Sequence, residues 1–166
     1  EAALIAKNRA PGLDRSFAAQ KWRNMDSRLW LDAADEAMYK EFHGTYDIWG
    51  GDIDPAAVEL ARHNAQLAGV EDCVRFEVAD AAKFHRDSEY GQLVTNPPYG
   101  ERLLEKREAE ELYRVFGRAV RDLPPKWRVL VLSSHTEFER AFGRPADKKR
   151  KLYNGMLKCD VFQYGK

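Results

Sequence analysis

The sequence has few cysteines and no paired ones, which excludes a metal site built on clustered thiols. Its 166 residues contain two cysteines, Cys73 and Cys159, each isolated in the chain. This usage is typical of a protein kept in a reducing cytosol. The four histidines have no metal-ligand spacing either. The sequence therefore predicts a cytoplasmic protein without a metal centre.

An excess of either charge and a long apolar run are also absent. Lys and Arg number 27, as do Asp and Glu, so the net charge at pH 7 is zero. Global charge therefore gives no sign of a nucleic-acid binder, and such a surface must come from a local patch. No apolar run approaches the roughly 18 residues of a membrane span, and no signal peptide is visible. We expect no membrane partner.

Apolar residues alternate between helical and strand periods, which predicts an α/β protein. The predicted strands cover 46–52, 73–78, a segment ending at Thr95, and 127–133, and the predicted helices cover 1–9, 26–42, a segment from Pro55, 107–123 and a short turn near 138–142. This order favours a mostly parallel sheet with helices on both faces. Residues 151–158 predict a hairpin that turns at Asn154-Gly155 and adds an antiparallel edge.

Acidic residues follow the first two predicted strands. Asp52 ends the first strand, where a carboxylate can accept hydrogen bonds from the ribose hydroxyls of a nucleoside cofactor. Asp54 precedes Pro55 and is interpreted as a helix N-cap. Asp80 follows the second strand, where it could accept from an adenine amine while the Ala81 backbone pairs with the ring. The alternative is that these acids only end strands, cap helices and form turns.

The segment TNPPYGERL, residues 95–103, follows the third predicted strand and holds the candidate catalytic residues. A base amine that attacks a methyl group must donate both of its hydrogens. The Asn96 side-chain oxygen and the Pro97 carbonyl are the candidate acceptors, and Pro98 restricts the conformation of Pro97. Tyr99 offers a flat face to an unstacked base. Catalysis would then be positioning and hydrogen bonding. The alternative is a rigid turn.

A basic run, residues 148–151, lies beside the predicted hairpin, with Arg144 nearby. Four consecutive cations could hold the phosphates of RNA. Such a run is more often only a solvated surface, and both interpretations stay open.

The segments GGDIDP, VADA and TNPPYGERL, in this order, resemble class I S-adenosylmethionine-dependent methyltransferases that act on exocyclic amines. Residues 1–22 and 141–165 are similar to the catalytic domain of THUMP-containing 23S rRNA guanine-N2 methyltransferases, and the resemblance covers essentially the whole chain. It implies a Rossmann-like class I sheet, S-adenosylmethionine as cofactor, and 23S rRNA as partner. It also implies that guanine N2 is methylated.

The resemblance assigns roles to individual residues of this sequence. Asp52, with Ile53 beside it, would bind the cofactor ribose, and Asp80 with Ala81 would bind the adenine. Asn96, Pro97, Pro98 and Tyr99 would hold the target base, and Asn96 would also face the cofactor. The NPPY motif is shared by adenine and guanine enzymes. An adenine-N6 methyltransferase on DNA or RNA therefore stays an alternative, as does a non-catalytic RNA-binding module.

The sequence departs from the family at its start. The family has a Gly-rich cofactor loop directly before the helix that opens here with Glu1-Ala2-Ala3, and a THUMP domain upstream. We therefore expect residues 1–166 to be the C-terminal part of one methyltransferase domain, without the first central strand. We also expect them to bind S-adenosylmethionine negligibly without the rest of the protein.

Overall fold

The computed structural model describes residues 1–100 and 103–165, and the chain divides into two compact units, Glu1–Val78 and Ala79–Lys166. The N-terminal unit contains helix α1 (Ala2–Ala6), a 3₁₀ helix (Ala18–Lys21), helix α2 (Ser27–Tyr39), strand β1 (Ile48–Asp52), helix α3 (Pro55–Leu67) and strand β2 (Val74–Val78). β1 and β2 pair in parallel, with Ile48 opposite Val74 and Asp52 opposite Val78. The apolar core of this unit lies around Ala3, Ala65, Val70 and Cys73.

The C-terminal unit contains a 3₁₀ helix (Ala81–Lys83), strand β3 (Tyr90–Thr95), helix α4 (Leu103–Ala119), strand β4 (Lys126–Ser133), helix α5 (Phe138–Phe142), and strands β5 (Lys148–Asn154) and β6 (Leu157–Tyr164). Its four strands are ordered β3-β4-β6-β5. β3 and β4 are parallel, whereas β6 runs antiparallel to both β4 and β5. The predicted α/β class, its parallel strand pairs and its antiparallel C-terminal hairpin are therefore confirmed.

An aromatic core joins α4 and α5 to one face of this sheet. Every second residue of β4 and β6 points toward the helices, because side chains alternate along a strand. The buried residues are Ala109, Tyr113, Phe116, Val120, Val129, Val131, Phe138, Phe142, Phe162 and Tyr164. The rings of Phe138 and Phe162 lie 4.4 Å apart between centroids. Burial of these rings, worth roughly 1.5–3 kcal/mol per large side chain, fixes the sheet against α4.

Several sequence predictions at element ends are wrong. Helices α1 and α2 end at Ala6 and Tyr39, not at residues 9 and 42. Helix α4 covers Leu103–Ala119 and not 107–123, and the chain tightens at its end, where the Arg121 N–H donates to the Arg118 carbonyl three residues earlier. The hairpin loop is Gly155-Met156, since Asn154 still pairs with Leu157 in the ladder. Gly155 has a positive φ of 63°, whereas the φ of Met156 is not positive. One left-handed residue, at the first loop position, is the pattern of a type II′ turn.

Candidate functional site

The Asn96–Tyr99 loop leaves the carboxyl end of β3 and is closed by a side-chain hydrogen bond. The Tyr99 hydroxyl donates to Asn96 Oδ1 over 2.6 Å. The same hydroxyl lies 3.8 Å from the sulfur of Cys159 on β6. Partial burial raises the pKa of Tyr99, while the side chains of Asn154 and Asn96 oppose that rise. Tyr99 is therefore a neutral donor at physiological pH, and it orients the Asn96 amide.

Tyr113 of α4 supports the loop from the core side. Its side chain is fully buried, and its hydroxyl donates to the Pro98 carbonyl over 2.5 Å. Ser133 Oγ lies 3.4 Å from the same hydroxyl and accepts from the His135 backbone N–H over 3.1 Å. Burial raises the pKa of Tyr113, which keeps the phenol protonated as a donor. A buried phenol needs a polar partner, and here that partner is the backbone of the candidate catalytic loop.

Gly100 lies close to the backbone of the first turn of α4. Its φ is 67°, a left-handed conformation that glycine adopts without strain. A Cβ at this position would lie 2.6 Å from Lys106 Cα and 2.7 Å from the Glu105 carbonyl. A larger residue would therefore push the loop away from the helix.

The loop presents its acceptors to solvent. Asn96 and Pro98 are exposed, and Pro97 and Tyr99 are half-buried. An amide oxygen has two lone pairs, so Asn96 Oδ1 can accept a second hydrogen bond beside the one from Tyr99. The role of the Pro97 carbonyl as a second acceptor stays a prediction.

Asp52 and Ile53 lie at the end of β1 in the N-terminal unit. Asp52 Oδ1 accepts from the Asp54 backbone N–H over 2.9 Å, and Ile53 is 69% exposed. Asp54 Oδ1 accepts from the Ala56 N–H over 2.9 Å, which confirms it as the N-cap of α3. A carboxylate accepts about four hydrogen bonds. Asp52 thus keeps the acceptor capacity that two ribose hydroxyls require.

Asp80 begins the 3₁₀ helix in which Ala81 is the first residue. Its Oδ1 accepts from the Ala82 N–H over 2.9 Å, so the capping interpretation describes one of its interactions. The remaining lone pairs can accept from an amine, and the residue types present fit an adenosine group. Within residues 1–100 and 103–165, no hydrogen bond joins Asp80 to Asn96 or Tyr99. The cofactor roles of Asp52, Ile53, Asp80, Ala81 and Asn96 stay predictions.

Sequence reasoning missed two residues that contact the loop. Tyr113 lies within the predicted helix 107–123, and Cys159 is one of the two isolated cysteines. The one available signal was a tyrosine in an otherwise apolar stripe, because a buried hydroxyl demands a partner. The partner itself lies 15 residues away and cannot be read from spacing.

The sequence profile of one known family matches almost the entire chain. The profile is the RMKL-like methyltransferase domain, UPF0020, and it covers residues 1–163. The chain belongs to this family. The predicted fold class is thereby placed among methyltransferases.

Relatives of this RMKL-like domain are longer than the chain. YpsC of Bacillus subtilis (strain 168) is 41% identical over 99% of the chain, which spans 43% of that protein. The ribosomal RNA large subunit methyltransferase K/L of Shewanella baltica (strain OS185) is 40% identical over 96% of the chain and 23% of that protein. The solved structure of SMU.472 in complex with SAH has a TM-score of 0.94 and 42% identity, over 99% of this chain and 44% of that one.

Two negative findings concern the described residues of this RMKL-like domain. None of the helices in the described part is long and apolar enough to span a membrane. Within the same residues, no three His, Cys, Asp or Glu side chains are grouped so that they could hold a metal ion.

Proposed function

We propose that this chain carries the amine-binding part of an S-adenosylmethionine-dependent methyltransferase that modifies a base in RNA, with guanine N2 of 23S rRNA as the target. The observation that carries the proposal is the oriented Asn96 amide. Asn96 is an exposed residue at the end of β3. Its amide oxygen accepts from the Tyr99 hydroxyl over 2.6 Å, and it lies on a loop that Tyr113 anchors at Pro98. An acceptor preorganised in this way costs little reorganisation when an amine binds.

The loop residues would act mainly on the amine, and Asn96 would also face the cofactor. Asn96 Oδ1 accepts one N–H of the amine and the Pro97 carbonyl accepts the other. Because both N–H groups are held by these acceptors, the nitrogen lone pair is directed away from them and can attack the methyl group. Pro98 limits the motion of the Pro97 carbonyl, and the Tyr99 ring stacks on the base. As the nitrogen–methyl bond forms and the methyl–sulfur bond of the donor breaks to leave S-adenosylhomocysteine, the nitrogen would release its proton to water, so no strong general base is required.

S-adenosylmethionine supplies the electrophilic methyl group when it is bound. Asp52 and Ile53 would hold its ribose, and Asp80 with Ala81 would hold its adenine. The carboxylates fit this role because each has one oxygen engaged by a backbone N–H and further lone pairs available. The structure of SMU.472 with SAH, at 42% identity, supports the choice of cofactor.

The choice of RNA is supported by the relative named ribosomal RNA large subunit methyltransferase K/L. Guanine N2 is the narrower part of the proposal, and it depends on the resemblance of residues 141–165 to guanine enzymes. The enzyme would act in the cytoplasm, on rRNA, together with the other segments of its own protein.

The test is methyl transfer from isotopically labelled S-adenosylmethionine by the full-length protein, followed by nucleoside analysis of the product. Unmodified 23S rRNA, duplex DNA and buffer alone are compared. The expected product is N2-methylguanosine from rRNA. N6-methyladenine in RNA or DNA would identify the adenine alternative, and binding of rRNA without any transfer would support a non-catalytic RNA-binding module.

A further inference from the structure

One face of the β5–β6 hairpin, the face that the Asn96–Tyr99 loop contacts, carries cationic side chains. Alternation along β5 places Lys148, Arg150, Leu152 and Asn154 on one face of the sheet. Leu152 pairs with Cys159, whose sulfur contacts the Tyr99 hydroxyl. Because directly opposite residues in a ladder share a face, Lys148 and Arg150 lie on the side of the sheet that Tyr99 contacts. This set, Lys148 and Arg150, is called the loop-side cations below.

The other face of β5 has the same number of cations, and each has an acid as its neighbour. Lys149 Nζ lies 2.7 Å from Glu139 Oε2 of α5 and 6.0 Å from the ring of Phe162. Lys151 is directly opposite Asp160. These two, the helix-side cations, therefore face acids on neighbouring elements.

The loop-side cations have no such acids. Both are exposed, and among the described residues neither has an ion-pair partner. The acid nearest to them in sequence is Asp147, whose Oδ2 accepts from the Gly165 N–H over 2.8 Å. In a chain of zero net charge, a face with two cations and no paired acid is a local positive field.

The spacing suits a polyanion that passes the loop. At about 3.3 Å per strand residue, Arg150 lies about 13 Å and Lys148 about 20 Å along β5 from Asn154. A nucleotide chain repeats its phosphate along this line, whereas a single small anion would meet only one cation. A groove that Lys148 lines continues past Gln92, Arg128 and Gln163, and it also contains Asp147, one oxygen of which is engaged by the Gly165 N–H.

We infer that the loop-side face of the β5–β6 hairpin, through Lys148 and Arg150, binds the sugar-phosphate backbone of the RNA whose target base enters the Asn96–Tyr99 loop. This inference rests on the proposed function for the identity of the polyanion. The contacts are to phosphate, so they position the RNA and carry no sequence information.

The test compares two double variants of the full-length protein that differ only in the face they change. Lys148→Gln with Arg150→Gln removes the loop-side cations, and Lys149→Gln with Lys151→Gln removes the helix-side cations. Both remove two charges from the same exposed strand. RNA affinity is measured by fluorescence anisotropy with a labelled 23S rRNA fragment, over a salt series and without cofactor. Circular dichroism and thermal melting confirm that each variant is folded.

The loop-side variant is expected to bind about tenfold more weakly and to lower the salt slope by about 1.4, the value for two phosphates of a single strand. The helix-side variant is expected to change affinity by less than about threefold, because its cations already face acids. Equal losses would overturn the inference, since they would show a general effect of charge. No loss in either variant would overturn it too, and the cations would then serve to keep an edge strand from pairing with other chains.

A failure of this inference and a failure of the proposed function give different results. RNA binding is measured without methyl transfer, so it is independent of catalysis. One outcome is that the loop-side variant binds RNA more weakly than the helix-side variant while the wild-type protein transfers no methyl group. This result would contradict the proposed function and support the RNA-binding surface. The opposite outcome is methyl transfer by the wild-type protein with equal RNA affinities for the two double variants. This result would support the proposed function and contradict the RNA-binding surface.

Discussion

At the scale of single residues, Asn96 is the side chain on which the proposed chemistry depends. Replacing it with alanine in the full-length enzyme removes one acceptor for the amine and the partner of the Tyr99 hydroxyl. We expect turnover to fall about 10²–10³-fold, the usual cost of removing one preorganised hydrogen-bonding group, with the affinity for S-adenosylmethionine nearly unchanged. Steady-state kinetics with rRNA, and calorimetry for the cofactor, measure the two quantities.

Asn64 provides the matched control for this substitution. It is an exposed asparagine on α3, and Asn64→Ala should leave turnover unaltered. Wild-type turnover in the Asn96→Ala enzyme would remove Asn96 from the mechanism.

Tyr113 and Tyr164 form a natural pair for testing what a buried hydroxyl contributes. Both are almost completely buried, but only Tyr113 has a partner, the Pro98 carbonyl at 2.5 Å. The Tyr164 hydroxyl is buried without a hydrogen-bond partner among the described residues. We expect Tyr113→Phe to cost about 1–3 kcal/mol, since it orphans a carbonyl, and Tyr164→Phe to be neutral or stabilising. Urea denaturation of both variants measures the difference.

Turnover separates a positioning role for Tyr113 from a purely structural one. If its hydroxyl positions the loop, Tyr113→Phe lowers kcat at a temperature where the variant is fully folded, and KM for the cofactor stays constant. Equal destabilisation by the two Tyr→Phe changes would contradict the assignment of the Pro98 bond.

At the scale of elements, the Glu139 side chain connects α5 to the start of β5 through two hydrogen bonds. Its Oε1 accepts from the Ala146 N–H and its Oε2 from Lys149 Nζ, each over 2.7 Å. Lys149 and then the Ala146 N–H lower the pKa of Glu139 below its ordinary value of 4.5. Because the folded-state pKa is depressed, this stabilisation is present above pH 4.5 and is lost as the pH falls through the folded pKa.

We therefore expect Glu139→Gln to lower the free energy of unfolding by about 1 kcal/mol at pH 7. The gap to wild type should shrink as the pH falls below about 4.5. Denaturation curves between pH 3.5 and 7 measure it. The control is Glu111→Gln, which breaks an exposed pair with Arg114 on α4 and should cost under about 0.5 kcal/mol. A pH-independent gap at Glu139 would show that its charge is not what stabilises α5.

Local chemistry made some elements predictable from sequence. Asp54 and Pro55 marked the start of α3 correctly because capping acts over two residues and needs no tertiary partner. The hairpin turn was misplaced because Asn-Gly is a favoured dipeptide for another turn type. Here Asn154 stays in the ladder with its side chain toward Tyr99, and Gly155 takes the left-handed position. The Tyr113–Pro98 bond could not be predicted, since it exists only once α4 packs on the sheet.

Other expectations have not yet met a test. The roles of Asp52, Ile53, Asp80, Ala81 and Pro97, and the assignment of all 166 residues to one domain, stay predictions. Each of the residue roles depends on a contact with a cofactor or a base, which the local hydrogen bonds of Asp52 and Asp80 do not define.

At the scale of the whole molecule, zero net charge combines with exposed apolar side chains. α2 contains no buried residue, and Leu29 and Leu31 on it, like Leu60 and Leu67 on α3, are more than half exposed. A protein near zero net charge has little repulsion to oppose association through such surfaces. We expect the 166-residue chain to self-associate most at low salt and pH 7, where its net charge is zero, and less at pH values that give the chain a net charge.

Light scattering between pH 5.5 and 8 measures this association. Leu60→Lys with Leu67→Lys, one helical face of α3, should reduce it at pH 7. Association that does not vary with pH would show that charge is not what limits it.

The hydrogen bond from Tyr99 also limits the number of hydrogen bonds that Asn96 Oδ1 can accept from a substrate. With one of its two lone pairs engaged, the amide oxygen can take one N–H and no more while the tyrosine stays in place. On the proposed function, a primary amine fills both acceptors of the loop, one at Asn96 and one at Pro97. A singly methylated amine has only one hydrogen left and leaves one acceptor empty. The loop would therefore hold its substrate better than its product, and the reaction would stop after a single methyl group.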